Sequence, residues 1–303
     1  MINLETKAIS SATVAVLSWS TVATAFKIAL RYLTHFELLL VADSTALLIF
    51  SLILAFQNKW KLITALSLKQ WGYFALLGLL NPVAYYLVLF KSYSLLPAQV
   101  AQPINYMWPI VLTILLAAFA HCHIPRLKYV GLGISLAGVA FISIGSSKLT
   151  NLHVSILGLS LAALSAVLWA VYWMITNKEK DKTDAILSLF MCFMFGTVYL
   201  VIGALFSGIH PLSFKGIISG VYVGCFEMGI SFAAFEYAIC KTSNPALVNQ
   251  MCYLSPFLSL FFIAAILGEK IVVTTYIGLV LIVFGIIFNQ YFVKIKTENN
   301  IEQ

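Results

Sequence analysis

Two carboxylates, Asp43 and Glu227, stand inside stretches of sequence that carry almost no other charge. An ionisable side chain among apolar neighbours is costly, and it is retained where it serves an ion, a proton or a buried hydrogen bond. Glu227, the more deeply placed, is the better candidate for a proton-linked carboxylate, with Asp43 second; a structural hydrogen bond is the rival reading for each. Glu236 follows Glu227 by nine residues, about 900° of turn on a regular helix, so the two are expected on opposite faces and only one of them beside any cavity.

The second chemical group is polar and aromatic. Gln102-Pro103-Ile104-Asn105-Tyr106-Met107-Trp108-Pro109 puts an amide, a phenol and an indole within four residues, between two prolines. Proline frees backbone carbonyls and kinks a helix. Asn105, Tyr106 and Trp108 therefore read either as the lining of a cavity or as interfacial anchors and packing residues. Asn249-Gln250-Met251-Cys252-Tyr253-Leu254-Ser255-Pro256 repeats the pattern later in the chain, and Asn249 and Tyr253 tilt the reading toward a cavity. Asn81-Pro82, followed by Tyr85-Tyr86, reads as a kink beside polar rings or as a plain packing kink. Trp19 and the cluster Trp169-Ala170-Val171-Tyr172-Trp173 lie in mid-stretch, away from the ends where anchors gather. Their faces could stack on an aromatic solute or hold a cation; bulky packing is the alternative.

Other chemistries find no constellation. His121-Cys122-His123 offers three metal ligands, one too few for a tetrahedral site, and no matching cluster lies nearby, so it reads as an interfacial loop with no metal bound. No P-loop, H-E-x-x-H or G-x-S-x-G occurs, and neither catalysis nor a cofactor is expected. The five cysteines, Cys122, Cys192, Cys225, Cys240 and Cys252, form no CxxC pair and read as small buried hydrophobes.

The elements that hold these residues follow from composition. Of 303 residues, 61% are hydrophobic and 10% charged, and the mean hydropathy is +0.97. A soluble domain carries about 25% charged residues. Only a bilayer tolerates apolar side chains on every outer face. Stretches of about 20 apolar residues suffice to span it. Ten occur: Ala8–Leu30, His35–Phe56, Trp71–Tyr93, Val100–Ala120, Leu127–Ile144, Val154–Ile175, Ala185–Phe206, Gly216–Cys240, Ala246–Leu267 and Thr274–Val293. The first is long, contains Trp19 and Lys27 and lacks a cleavage site, so it reads as a span, not a secretory signal. Polar residues from Lys294 to Gln303 read as a disordered tail.

The net charge of +7 sits in short gaps and argues for topology signals, not for nucleic acid. With the N-terminus in the cytoplasm, twelve basic residues fall on that side (Lys7, Lys59, Lys61, Lys69, Arg126, Lys128, Lys178, Lys180, Lys182, Lys241, Lys294, Lys296) and six on the other (Lys27, Arg31, Lys91, Lys148, Lys215, Lys270). Both termini are therefore expected in the cytoplasm. Lys27 and Glu37 fall near the same outer end, and a pairing of the two is the simplest expectation.

A shift of 147 residues superimposes Tyr106 on Tyr253, Pro109 on Pro256, Gly131 on Gly278, Gly138 on Gly285 and Phe141 on Phe288; at a nearby offset Trp19 meets Trp169. Gly131, Gly133, Gly138, Gly278 and Gly285 read as close helix packing. The repeat sets spans one to five (residues 1–148) against spans six to ten (149–293). With an odd number of spans in each, the second copy is expected upside down. The fold class is an all-α membrane protein of about ten transmembrane helices in two inverted five-helix repeats. Such repeats recur in secondary transporters, with the solute site near the midplane between them.

Tyr253-Leu254-Ser255-Pro256, then Gly268-Glu269-Lys270, Gly278 and Gly285, together with the repeat, resemble the drug/metabolite transporter superfamily in its branch of two EamA-type repeats. Three segments resemble the aromatic amino-acid exporters within it: Leu17-Ser18-Trp19-Ser20-Thr21, Asn105-Tyr106-Met107-Trp108-Pro109, and Leu168-Trp169-Ala170-Val171-Tyr172 with Thr176-Asn177-Lys178. The resemblance implies ten helices around a central cavity, alternating access, and export of amino acids or related metabolites from a bacterial-type inner membrane. It places Trp19, Asn105, Tyr106, Trp108, Trp169 and Tyr172 at the cavity. Tyr85, Asn249 and Tyr253 join them from the residue patterns above. Where the second repeat has Gly-Glu-Lys, the first has His121-Cys122-His123, so the resemblance carries no shared role to Glu269. The expected partners are a small solute and membrane lipid. A lipid-carrier flippase on the same architecture and a membrane-embedded lipid enzyme are the alternatives; substrate, direction, coupling ion and oligomeric state stay open.

Overall fold

A computed structural model describes residues 4–119, 127–150, 155–176, 183–208, 210–243 and 245–299, and among these every regular element is a helix. In chain order they are α1 (Leu4–Ala29), α2 (His35–Phe56), the short α3 (Lys61–Thr64), α4 (Leu68–Gly78), α5 (Tyr85–Leu95), α6 (Ala98–Asn105), α7 (Trp108–Phe119), α8 (Leu127–Thr150), α9 (Ile156–Thr176), α10 (Ala185–Ser207), α11 (Phe214–Val223), α12 (Ile230–Lys241), α13 (Pro245–Met251), α14 (Leu254–Phe262) and α15 (Val273–Asn299). Wider π-helical turns join α4 to α5 (Leu79–Ala84) and α11 to α12 (Gly224–Gly229), and a third, Ile263–Leu267, ends α14. His121-Cys122-His123 lies outside the described residues.

Seven of the described helices are long and apolar enough to cross a membrane: Leu4–Ala29, His35–Phe56, Leu68–Leu95, Ile156–Thr176, Ala185–Ser207, Phe214–Lys241 and Leu247–Leu267. Shorter apolar stretches in α8 and α15, Val130–Ile142 and Val273–Phe288, and the divided pair α6–α7 stand where the sequence expects the other three. Large apolar side chains face outward, among them Phe56, Leu205 and Phe206, as a lipid-solvated surface requires. The last helix continues through Asn299, so the stretch from Lys294 to Asn299, expected as disordered tail, is helical in its backbone.

Side chains start several helices by satisfying open N–H groups. Thr34 and Glu37 form a capping box at α2, Ser67 and Gln70 another at α4, and the Ser213 hydroxyl accepts from Gly216 N at α11.

The helix contacts recur in pairs. α2 lies on α10 and α8 on α15, while α5 and α7 lie on α9 as α12 and α14 lie on α1. Shifting the chain by the repeat exchanges the last two sets. The α8–α15 contact is reciprocal in detail: Gly138 meets Gly278, Gly131 meets Gly285, and Ser135 Oγ donates to Ile282 O at 3.1 Å. A Cβ on Gly138 would stand 2.5 Å from the Gly278 carbonyl oxygen, so only glycine permits this approach. The early residue of one helix meets the late residue of the other, so these repeat-equivalent helices run antiparallel. At Gly133, expected in the same packing stripe, an added Cβ would meet no neighbouring helix within 4 Å.

Polar ties bind the helix ends. At one end Lys59 Nζ reaches Asp184 Oδ2 at 2.6 Å, and Glu5 accepts from Thr242 Oγ1 at 2.7 Å and Ser243 N at 2.8 Å. Burial opposes ionisation of Asp184, but the Lys59 ammonium and the N–H groups of Leu187 and Ile186 hold its carboxyl below the usual value. At the other end Glu37 accepts from His210 N at 3.0 Å and meets its Nδ1 at 2.9 Å. The expected Lys27–Glu37 pair does not form. Lys27 Nζ donates instead to Tyr93 O (2.9 Å) and Leu96 O (3.0 Å), at the negative end of the α5 dipole, while Glu37 serves its own helix N-terminus.

Candidate functional site

Helix breaks build the site. At Asn81-Pro82 the ring of Pro82 removes an N–H and disfavours helical geometry at the residue before it. Asn81 takes φ −142°, ψ 117°, and the Asn81-Pro82 peptide is cis. In the repeat-related span the turn Gly224–Gly229 packs its first glycine on the Ala42 carbonyl and Thr45 of α2, an approach that a side chain would block. This wider turn has a consequence for the carboxylates. It takes up an extra residue, so Glu236 swings by about 100° relative to a regular helix. Glu227 and Glu236 therefore both line one cavity, contrary to the expectation from regular helical spacing.

That cavity has a volume of about 700 Å³. All nine residues expected at a solute site line it: Trp19, Tyr85, Asn105, Tyr106, Trp108, Trp169, Tyr172, Asn249 and Tyr253. α6 passes into α7 at Tyr106-Met107, and α13 into α14 at Cys252-Tyr253, so both breaks lie on its wall. At one end the lining reaches Thr176 and Thr183, where α9 finishes and α10 is about to begin. At the other it stops at Phe26 and Tyr93. Beyond them Glu269 accepts from Ala98 N (3.1 Å) and Gln99 N (3.4 Å), capping α6, and Lys27 holds the end of α5.

An aromatic wall runs through the middle. Trp169 meets Tyr85 at 4.7 Å between ring centres and stacks on Tyr172 at 5.6 Å, and Trp108 stacks on Trp173 at 6.0 Å. Trp19 packs against Phe232 and Phe235 at 6.2 and 5.3 Å. Phe232 and Phe235 were not singled out by residue type. The repeat marks the first of them, because Phe232 is the 147-residue counterpart of Tyr85, as Trp19 is of Trp169 at the nearby offset.

Hydrogen bonds fix the polar groups. Tyr86 OH donates to Glu227 Oε1 at 3.1 Å, and Trp19 Nε1 donates to the Glu227 carbonyl, also at 3.1 Å. Tyr85 OH donates to Asn105 Oδ1 at 3.3 Å, and Asn105 Nδ2 donates to Ser165 Oγ at 2.9 Å. Ser259 Oγ donates to Gln102 Oε1. Glu227 Oε2 has no hydrogen-bond partner among the described residues.

Asp43 is placed elsewhere. It is fully buried between α2 and α10, outside the cavity lining, with Thr197 Oγ1 donating to Oδ2 at 2.5 Å. Its Oδ1 lies against Gly196 beside the Pro82 ring and has no partner. Among the described residues no three His, Cys, Asp or Glu side chains gather as they would to hold a metal ion. The cavity offers ring faces, neutral amides and carboxylates.

Comparison with known proteins agrees with this architecture. Residues 6–144 and again 156–291 match the EamA-like transporter family. An uncharacterized transporter of Bacillus subtilis (strain 168), YvbV, is 26% identical over 232 residues, which are 74% of this chain and 73% of that one. An uncharacterized transporter of Clostridium kluyveri is 27% identical over 171 residues, 55% of each chain. A solved crystal structure 18% identical in sequence superimposes with a TM-score of 0.66, covering 96% of this chain and 98% of its own, a likeness of fold.

Proposed function

The chain belongs to the EamA-like transporter family, and from that premise we propose that it exports amino acids or related small metabolites, aromatic ones first, by alternating access through the central cavity. The observation that carries this reading is the cavity of about 700 Å³ between the two halves, walled by Tyr85, Trp169 and Tyr172 and crossed by the paired helix breaks. Aromatic faces suit a flat solute. Asn105, held between Tyr85 and Ser165, supplies a fixed amide beside it.

The antiparallel contact of α8 with α15 supports an inverted relation between the repeats. Such a pair has two exchangeable arrangements, one facing each side. In the arrangement described here the Glu269 and Lys27 bonds close the end that the distribution of basic residues assigns to the outside. Opening it requires Glu269 to release Ala98 and Gln99. Both termini then lie in the cytoplasm, and the membrane is the inner one. Glu227, at the cavity wall, is the carboxylate through which a proton would be linked to the solute; Asp43, sealed away from the cavity, is not assigned that role.

Reconstitution in liposomes with counterflow of labelled amino acids tests this. Movement of aromatic amino acids, lost in Asn105→Ala and Trp169→Ala, is expected. A folded protein that moves no member of a panel of amino acids and small metabolites would overturn the reading.

A further inference from the structure

Resting on that transporter reading, we infer that the cavity selects its solute by positive charge, so that its preferred class is an aromatic organic amine carrying a cation and no carboxylate. The lining contains two carboxylates, Glu227 and Glu236, and none of its described residues is Lys, Arg or His. A solute with a net positive charge gains from Glu227, whose second oxygen is unengaged. Among the described lining residues the carboxylate of an amino acid would meet no opposite charge, and it would face the like charge of Glu227.

Hydrogen bonding divides the same way. Helix breaks in transporters often present open N–H groups to an anion. Here Tyr106 N donates to Gln102 O at 3.0 Å and Met107 N to Ile104 O at 3.1 Å. At the second break Tyr253 N donates to Gln250 O at 3.0 Å and Ser255 N to Cys252 O at 3.1 Å. The Trp19 indole N–H and the Asn105 amide are committed as well. The Trp173 indole N–H has no partner and the Asn249 and Gln250 amides also line the space, but neutral donors do not neutralise a carboxylate as an opposite charge would. Lys27, the basic residue of α1 at the closed end, spends its donors on the carbonyls of Tyr93 and Leu96 and is absent from the lining. Among the charged groups of the described lining only carboxylates are present. Glu227 Oε2 is unengaged, and the π faces of Trp19, Trp169 and Tyr172 border the space. An ammonium over such faces is attracted by the ring quadrupole, more strongly once desolvated.

Three ligands that share one ring system and differ in charge separate this inference from the transporter reading. Binding of labelled tryptamine, tryptophan and indole-3-acetate is measured on the purified full-length protein in nanodiscs, beside the liposome counterflow panel. Tryptamine is expected to bind at least tenfold more tightly than tryptophan, with indole-3-acetate weakest. Glu227→Gln should erase that preference, and Glu236→Gln, read independently, should reduce it by a few fold. Variants are accepted on an unchanged elution profile and helical content. Tryptophan binding as tightly as tryptamine, or a preference surviving in both folded variants, overturns the inference and leaves the transporter reading standing. The absence of binding by any of the three, with another solute moving in counterflow, does the same. A counterflow panel that stays silent overturns the transporter reading itself.

Discussion

Glu227 and Asp43 are the two carboxylates set deepest in the apolar chain, and the helices treat them differently. Both are buried, and each accepts from one hydroxyl, Tyr86 for Glu227 and Thr197 for Asp43. Asp43 belongs to a regular helix and is enclosed by a packed neighbour, with Gly196 and Pro82 against its second oxygen. Glu227 belongs to a π-helical turn, its carbonyl accepts from Trp19, and its side chain lines a cavity of about 700 Å³. Burial of a carboxylate in a membrane span is therefore not what sets Glu227 apart. The broken helix behind it and the open space before it do so.

This contrast can be broken by substitution. The largest effect is expected from Glu227→Gln, which should weaken binding of an aromatic amine tenfold or more in nanodiscs while leaving the melting temperature within a few degrees of the parent. Next come the glycines that seat the two carboxylates. A Cβ at Gly196 would stand 2.5 Å from Pro82 Cγ and 3.0 Å from Asp43 Oδ1. Overpacking of that kind costs about 1–3 kcal/mol, so Gly196→Ala should melt earlier in a thermal-shift assay, and Gly224→Ala should do so too because the Ala42 carbonyl blocks it. Tyr86→Phe removes one hydrogen bond from Glu227, worth about 1 kcal/mol, and should weaken amine binding several-fold with little change in stability. The smallest effect on function is expected from Asp43→Asn. An amide oxygen still accepts from Thr197, so binding and transport should stay within about twofold of the parent. A folded Asp43→Asn protein without transport would break the contrast.

Much of this was legible in the chain beforehand. The spans follow from the length of apolar stretches, since no other solvent accommodates them. Of the nine expected residues that line the cavity, Tyr106 and Tyr253 stood out because polar rings and prolines recur at one offset, while Trp19, Trp108, Trp169 and Tyr172 came from the family resemblance. The wider turn at Gly224–Gly229 was not legible: a glycine pair within a span reads equally as close packing, and only the approach of α2 selects the extra residue. Missing that turn put Glu236 on the wrong face. The partners of Lys27 and Glu37 were missed for another reason. Proximity in sequence favoured pairing the two, whereas the ends of α5 and α2 offered each of them oriented backbone groups. Asp43 ranked only second to Glu227, and not apart from it, because sequence shows the cost of burial and not what encloses the group.

The most direct test is counterflow of a labelled aromatic amine and a labelled aromatic amino acid into liposomes holding the parent protein, Glu227→Gln or Asp43→Asn, measured side by side. Uptake of the amine by the parent and by Asp43→Asn, reduced tenfold or more in Glu227→Gln, is the expected result. Uptake by Glu227→Gln with silence from a folded Asp43→Asn would contradict the account, because it would move the working carboxylate from the cavity wall to the sealed contact between α2 and α10.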